Sequence, residues 1–454
     1  MGSFVVLVLF YQAPMDDYGS YAKASLNYFA PRPRNTTLDL SYLQSYDISS
    51  TFTYSRRSIK TKHFDGERPT LTTINETLFP SPLTVEKSNL SAQEIIELPP
   101  LTLHVASSPD VDTSIISFGI ATSVPRLNAS TPQLSHWLSN TTCPLHVISP
   151  PHASTLDIES TIQDLPIAIN LTITTSDLPF AKAYFSIIKH LYDTRTPKTQ
   201  WLVLIDDDTF IPSLSYLVSH LSTTYDATKQ QLIAAMSDDL DQIRTYGLLP
   251  FGGGGIFISV PLASLLSSPE VYDNCIASPK DQGDQIVNDC LNTYTSVKPI
   301  FDHGLNQMDI FGSPDGYFES GHRMLTVHHW KSWFHVDVPL AARVSRVTGD
   351  EGIFMRWKFE GGVVLSNGFS IVEYGNGIDE VDLQKVEKTW DGKEGRFVHH
   401  IGPLREGLGE DRKASYRLVG AEVVVGVGLR QVYLQKASTG ENGNDRVLEL
   451  LWLF

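Results

Sequence analysis

The sequence predicts an α/β protein with a mostly parallel central sheet over residues 113–335. A low-complexity stem, residues 1–112, precedes it, and a β-rich region, residues 336–454, follows. Three observations carry this reading. Apolar strand runs alternate with helical patterns through the middle of the chain. The segment from residue 12 to about 112 is rich in Ser, Thr, Pro and Asn without sustained periodicity. After about residue 336 the apolar runs become short and are separated by Gly, Asn and Asp.

Taken in order, the chain opens with the apolar run Phe4–Tyr11. Its eight residues fall short of the roughly 20 needed to cross a bilayer. It also lacks the basic flank and cleavage site of a signal peptide, so it is read as the stub of a truncated or absent membrane anchor. The stem that follows holds proline-punctuated segments such as Pro31-Arg-Pro-Arg34 and Phe79-Pro-Ser-Pro82. By composition it buries too little apolar surface to offset chain ordering. Short pieces such as Leu101–Val105 are able to dock on the body.

From residue 114 the character changes. Ser114–Thr122 is a buried-type strand ending at a polar loop, and His146-Val-Ile-Ser149 is a second. Ala181–Tyr192 places Phe185, Ile188, Leu191 and Tyr192 at helical spacing. Trp201–Ile205 is a continuous apolar strand that runs directly into Asp206-Asp207-Asp208. Leu214–Leu221 reads as a helix and Gln231–Met236 as a strand. In the C-terminal region Gly361–Leu365, Phe369–Tyr374, Leu418–Gly428 and Gln431–Leu434 are the β-type runs.

Composition narrows the function. Lys and Arg number 35 against 51 Asp and Glu, a formal charge of −16, and no basic run offers itself to phosphate backbones, which excludes nucleic-acid binding. Three cysteines, Cys143, Cys275 and Cys290, are too few for a disulfide scaffold and show no zinc-site spacing. Six N-x-[ST] sequons begin at Asn35, Asn75, Asn89, Asn128, Asn140 and Asn170. Their confinement to the first part of the chain points to a glycosylated, lumenal or extracellular protein.

Four motifs carry chemistry. In an α/β sheet the carboxyl ends of strands open onto the ligand crevice. Carboxylates there at i and i+2 can hold Mg²⁺ or Mn²⁺; the bland alternative for Asp206–Asp208 is a solvated turn with capping aspartates before Ser213. The run Gly252-Gly253-Gly254-Gly255 lets backbone approach a ligand closely, or is a flexible turn. Asp281-Gln-Gly-Asp284, ahead of Cys290, is either a helix cap or the seat of a general base. His303–Gly312 and then Leu325-Thr-Val-His328-His329-Trp330 supply histidines. On a strand His328 and His329 would face opposite ways, so at most one serves a given site.

Together, in this order and spacing, these motifs resemble the Fringe-like β-1,3-glycosyltransferases of glycosyltransferase family 31, in the branch shared by plant and fungal proteins. The match rests on Ile116–Ala121, Trp201–Asp208, Phe251–Ser259, Gly283–Cys290 and His303–His329, and covers about residues 113–335. The resemblance implies a GT-A type domain that binds a UDP-sugar with Mn²⁺ (or Mg²⁺). It makes Asp206 and Asp208 the metal-binding Asp-x-Asp, completed by His328, with Asp207, Gly253 and Gly254 near the donor. It places the base at Asp284, with Asp281 as the alternative. Lys280, where relatives carry another acid, departs from the pattern and leaves that choice open. It implies a Cys275–Cys290 disulfide, which leaves Cys143 free or paired elsewhere.

The activity implied is metal-dependent, inverting transfer of a sugar to a hydroxyl of a glycan or glycoprotein acceptor. Residence in the Golgi or secretory lumen, as a type II membrane protein in full-length form, follows from the same resemblance and the sequons. A helix N-terminus would keep Asp284 ionised. Trp330 and Trp333 are either stacking platforms for the acceptor or core. Two other classes remain: a catalytically inactive glycan-binding relative, and a phosphoester hydrolase using the same aspartates.

Overall fold

The structure, a computed structural model, describes residues 33–151, 169–391, 401–437 and 443–454. The apolar run Phe4–Tyr11 lies outside the described residues, and among these no helix is long and apolar enough to cross a membrane.

The predicted central sheet is present and has seven strands. Across it they run Ile300–Phe301, Leu232–Ala235, Phe251–Ser259, Trp201–Leu204, Ile116–Ala121, Pro144–Ser149 and Asn170–Thr175. All neighbours are parallel except Phe251–Ser259, which is antiparallel to both of its partners. Helices cover both faces, which is why these strands read as continuous apolar runs instead of alternating ones. Leu202 and Leu204 pack with Phe185, Ile188 and Leu191 of the helix Phe180–Thr194. Trp201, Val203 and Ile205 turn the other way, onto Leu127 and Trp137 of the helix Val124–Leu138 and Leu217 of the helix Leu214–Thr224.

One topological fact positions the site. The parallel strands end at one edge of the sheet, where Ile205 and then Asp206 follow Leu204. The antiparallel strand begins at that edge, with Leu204 opposite Ile256, so the glycine run is delivered to the aspartates.

The assignment of 1–112 as a low-complexity stem is corrected for its described part. Residues 34–106 contain six strands. The longest, Thr51–Phe64, pairs in parallel with Asp445–Leu453 from Phe52↔Asp445 to Lys60↔Leu453. It also pairs with Leu83–Glu86 and with Leu101–Ala106. These join the C-terminal strands in a ten-stranded sheet. A polar segment obtains its core from distant partners. Phe52, Tyr54 and Ile59 are buried, while Arg56 and Arg57 lie 3.6 and 3.5 Å from Glu449 and Glu76.

The C-terminal region is β-rich, as read, and among the described residues its core is continuous with that of the rest. One apolar cluster holds Ile59, Leu101 and Val105 together with Phe210, Met308, Val327, Phe334, Trp357 and Trp452.

Candidate active site

Asp206, Asp207 and Asp208 form a tight loop clamped to the glycine strand. The Asp206 N–H donates to Thr209 Oγ1 at 3.0 Å, and that hydroxyl donates to the Gly253 carbonyl at 2.8 Å. A two-way backbone bridge between Phe210 and Val327, 2.8 Å in each direction, brings His328 opposite the loop. Its Nε2 lies 3.0 Å from Asp208 Oδ1 and 3.5 Å from Asp206 Oδ2. Burial works against charge on His328, but the hydrogen bond and charge of Asp208 outweigh it and raise its pKa. Asp208 is correspondingly held down to about 2, with burial opposing and His328 prevailing. Asp206, at the mouth of the cleft, is shifted upward by desolvation.

Two carboxylates and an imidazole whose ligand atoms lie within 4.8 Å of one another suit a divalent ion such as Mn²⁺ or Mg²⁺. His328 Nδ1 is buried without a hydrogen-bond partner, which leaves the ring's other nitrogen as its polar contact with the aspartates. The three residues read from sequence as metal ligands are brought together.

The glycines act differently from the reading of backbone offered to a donor. A Cβ on Gly253 would lie 2.0 Å from His328 Cε1, and one on Gly254 2.4 Å from the Ala235 Cβ. Their backbone groups are also engaged: Gly254 N–H donates to Gln307 Oε1 at 2.8 Å, and its carbonyl accepts from Thr326 Oγ1 at 2.7 Å. Gly253 therefore makes room for the histidine, while Gly254 packs against Ala235 and is tied to Gln307 and Thr326.

Asp207 also borders the cleft, but its carboxylate is engaged within the protein. It is 2% exposed, and both its oxygens are taken by Arg126, Nε to Oδ2 at 2.6 Å and a terminal nitrogen to Oδ1 at 2.8 Å. Thr122 also donates to it, and Lys331 Nζ stands 3.9 Å away. Asp207 fixes the exposed Arg126 guanidinium at the rim of a cavity of about 280 Å³ lined by Ala121, Ser123, Ile148, Leu178, Phe180 and Asp206, among others. Arg126 escaped the sequence reading because it stands 81 residues from its partner on an ordinary helix face.

Asp284 lies in the first turn of the helix Gly283–Tyr294 and accepts from the Gly252 N–H. The expectation that the helix terminus keeps it ionised is corrected. Burial, reinforced by the Asp206 charge, pushes it up to about 7, a value suited to a base near neutral pH. Asp281 is exposed on the preceding loop, so of the two candidates Asp284 faces the metal-ligand cluster. The Cys275–Cys290 disulfide is present, tying that helix to Pro269–Ile276, and Cys143 is free and buried.

The adjacent histidines do not point to opposite faces. The strand ends at Val327 and His329 has φ 57°, so the two rings sit 3.9 Å apart. Burial holds the His329 pKa down to about 3; it is neutral beside Asp309 Oδ1 at 3.3 Å. Behind it, burial raises Asp309 and Asp238 to about 6 each. Trp330 is 8% exposed and belongs to the core. Trp333, partly exposed, stacks on Phe311 with centroids 4.5 Å apart.

This is an α/β fold with a mostly parallel sheet, an acidic site at the strand ends and a β-rich C-terminal region. Residues 241–349, which include the glycine strand, Asp284 and both histidines, match the family described as "Protein of unknown function, DUF604". No curated protein matches the chain in sequence. Among solved structures, mouse xyloside xylosyltransferase 1 in its apo form is similar at TM-score 0.30 and 12% identity, over 42% of this chain and 86% of that one. The galactosyltransferase LgtC in complex with donor and acceptor sugar analogs is similar at TM-score 0.30 and 12% identity, over 52% of this chain and 83% of that one. At these TM-scores the likenesses assign no residue a role.

Proposed function

We propose that the chain is a metal-dependent, inverting glycosyltransferase that moves a sugar from a UDP-sugar to a glycan hydroxyl, forming a β-1,3 linkage in the manner of the Fringe-like enzymes. The observation that carries this reading is the convergence of the Asp206–Asp208–His328 cluster, the Asp284 carboxylate and the Arg126-rimmed cavity at one edge of the sheet.

Held by Asp206, Asp208 and His328, Mn²⁺ or Mg²⁺ would neutralise charge on the departing diphosphate. The cavity between the ends of the parallel strands takes the nucleoside, with Phe180 and Leu178 as its apolar wall and Arg126, fixed by Asp207, directed at the phosphates. Asp284 accepts the acceptor hydroxyl's proton as that oxygen bonds to the anomeric carbon and the carbon–phosphate oxygen bond breaks on the opposite face. A single displacement of this kind inverts configuration.

We place the protein in the secretory lumen. All six sequon asparagines are exposed, and a disulfide such as Cys275–Cys290 persists in an oxidising compartment.

The test is incubation with Mn²⁺ and a panel of UDP-sugars, with glycan acceptors and with water alone, followed by the product anomer by NMR. Transfer with inversion, abolished by EDTA, is the expected result. Glycan binding with neither transfer nor UDP release would make the chain an inactive binding relative. Donor-independent phosphoester cleavage would make it a hydrolase.

A further inference from the structure

Tyr184, on the helix Phe180–Thr194, is 3% exposed and reaches the site only because two glycines admit it. A Cβ on Gly283 would stand 2.5 Å from its ring Cδ1, and one on Gly252 would stand 1.9 Å from its hydroxyl. That same Gly252 position is 2.8 Å from Oδ1 of Asp284. Phenol and carboxylate therefore converge on one bare stretch of backbone, whose N–H already donates to Asp284.

Packing explains the ring, which joins the apolar cluster with Phe185, Ile286 and Val287. It does not explain the hydroxyl, since phenylalanine would fill the same space. Buried hydroxyls are nearly always hydrogen-bonded; no partner meets this one in good geometry, and the group beside it is the Asp284 carboxylate, whose charge and hydrogen bond act on the phenol together with the Asp206 charge.

We propose that Tyr184 is a positioning residue for Asp284. With substrates bound, its hydroxyl donates to one carboxylate oxygen and, with the Gly252 N–H, holds the group so that the other oxygen faces the acceptor hydroxyl. This rests on the reading of Asp284 as the base.

The experiment is a double-mutant cycle of Tyr184→Phe and Asp284→Asn, with turnover, donor KM and melting temperature measured for all four proteins. Tyr184→Phe is expected to lower kcat about tenfold, equivalent to about 1.4 kcal/mol, with donor KM and melting temperature unchanged. In the Asp284→Asn background it should cause no further loss, because the two act as a unit. Full turnover in Tyr184→Phe beside a crippled Asp284→Asn overturns the role of Tyr184 alone, and so does a loss that adds fully to that of Asp284→Asn. A fully active Asp284→Asn overturns the base assignment and the positioning role together. Crystal structures of the wild type and Tyr184→Phe give a readout apart from activity: an Asp284 carboxylate turned from its wild-type orientation supports the proposal, and an unmoved one overturns it.

Discussion

Gly253→Ala should disable metal binding without touching a ligand. The added Cβ would lie 2.0 Å from Cε1 and 2.1 Å from Nδ1 of His328. Non-bonded carbons rest about 3.5–4.0 Å apart, so the ring must withdraw by about 1.5 Å. It has little room, being 5% exposed with the His329 ring 3.9 Å away. Metal ligation tolerates displacements of about 0.2 Å, and the shift would carry Nε2 off its place 3.0 Å from Asp208. Removing even a supporting partner of a ligand weakens binding about 10–100-fold, so Mn²⁺ affinity should fall by at least that factor. Overpacking should also cost about 1–3 kcal/mol of stability. Calorimetric titration with Mn²⁺ measures the first effect and thermal unfolding the second. Gly377→Ala is the control, because a Cβ there meets nothing within 4 Å. Wild-type Mn²⁺ affinity in a folded Gly253→Ala protein would refute the role of His328 as a ligand seated on this glycine.

Asp284→Asn should lower turnover by about 10²–10⁴, the worth of a general base, with donor affinity retained, whereas the exposed Asp281→Asn should be nearly silent; steady-state kinetics of both decide. Turnover should rise with pH through about 7, where Asp284 loses its proton. The same upward shift means that the metal-free fold holds a proton the unfolded chain releases near pH 3.9, so this group's contribution to stability declines as pH rises from about 4 to 7; denaturant titrations across that range check the sign. Deleting residues 1–112 should abolish soluble folding, because it removes the buried Phe52, Tyr54 and Ile59, each worth about 1.5–3 kcal/mol against a total of about 5–15 kcal/mol. A truncated chain that keeps the native circular dichroism would contradict this. In chain secreted from a eukaryotic host, peptide-N-glycosidase should convert sequon asparagines to aspartate, read by mass spectrometry; unmodified asparagines at all six would argue against the lumen.

The site was legible where local chemistry and burial coincide. A strand buried on both faces announces itself as Trp201–Ile205, and carboxylates at its end stand where a sheet opens its crevice. Asp284 was reachable only through the family resemblance, which places an acid at its distance from Cys290. What stayed hidden depends on partners far along the chain. Thr51–Phe64 carries two arginines that look solvated until Glu449 and Glu76 meet them. His329 defeated the pleat rule because its backbone leaves the strand at a positive φ, which no neighbouring residue signals. The glycine run was read as space for a ligand, but the space is taken by His328 and Tyr184. Tyr184 itself looks like one more apolar position on a helix, and only the pairing of Gly252 with Gly283 around it gives it away.

The parallel pairing of Thr51–Phe64 with Asp445–Leu453 also sets a timetable for biogenesis. Tyr54 and Glu449, hydrogen-bonded at 2.7 Å, are separated by 395 residues. At about 5–20 residues per second a ribosome takes roughly 20–80 s to bridge that gap. Throughout that interval the early strand has emerged with one long edge unmatched, a template for pairing with other chains. Folding is therefore gated by the arrival of Asp445–Leu453. A nascent chain interrupted anywhere before that point exposes the early strand to chaperones and to quality control, even with every residue of the acidic cleft already made.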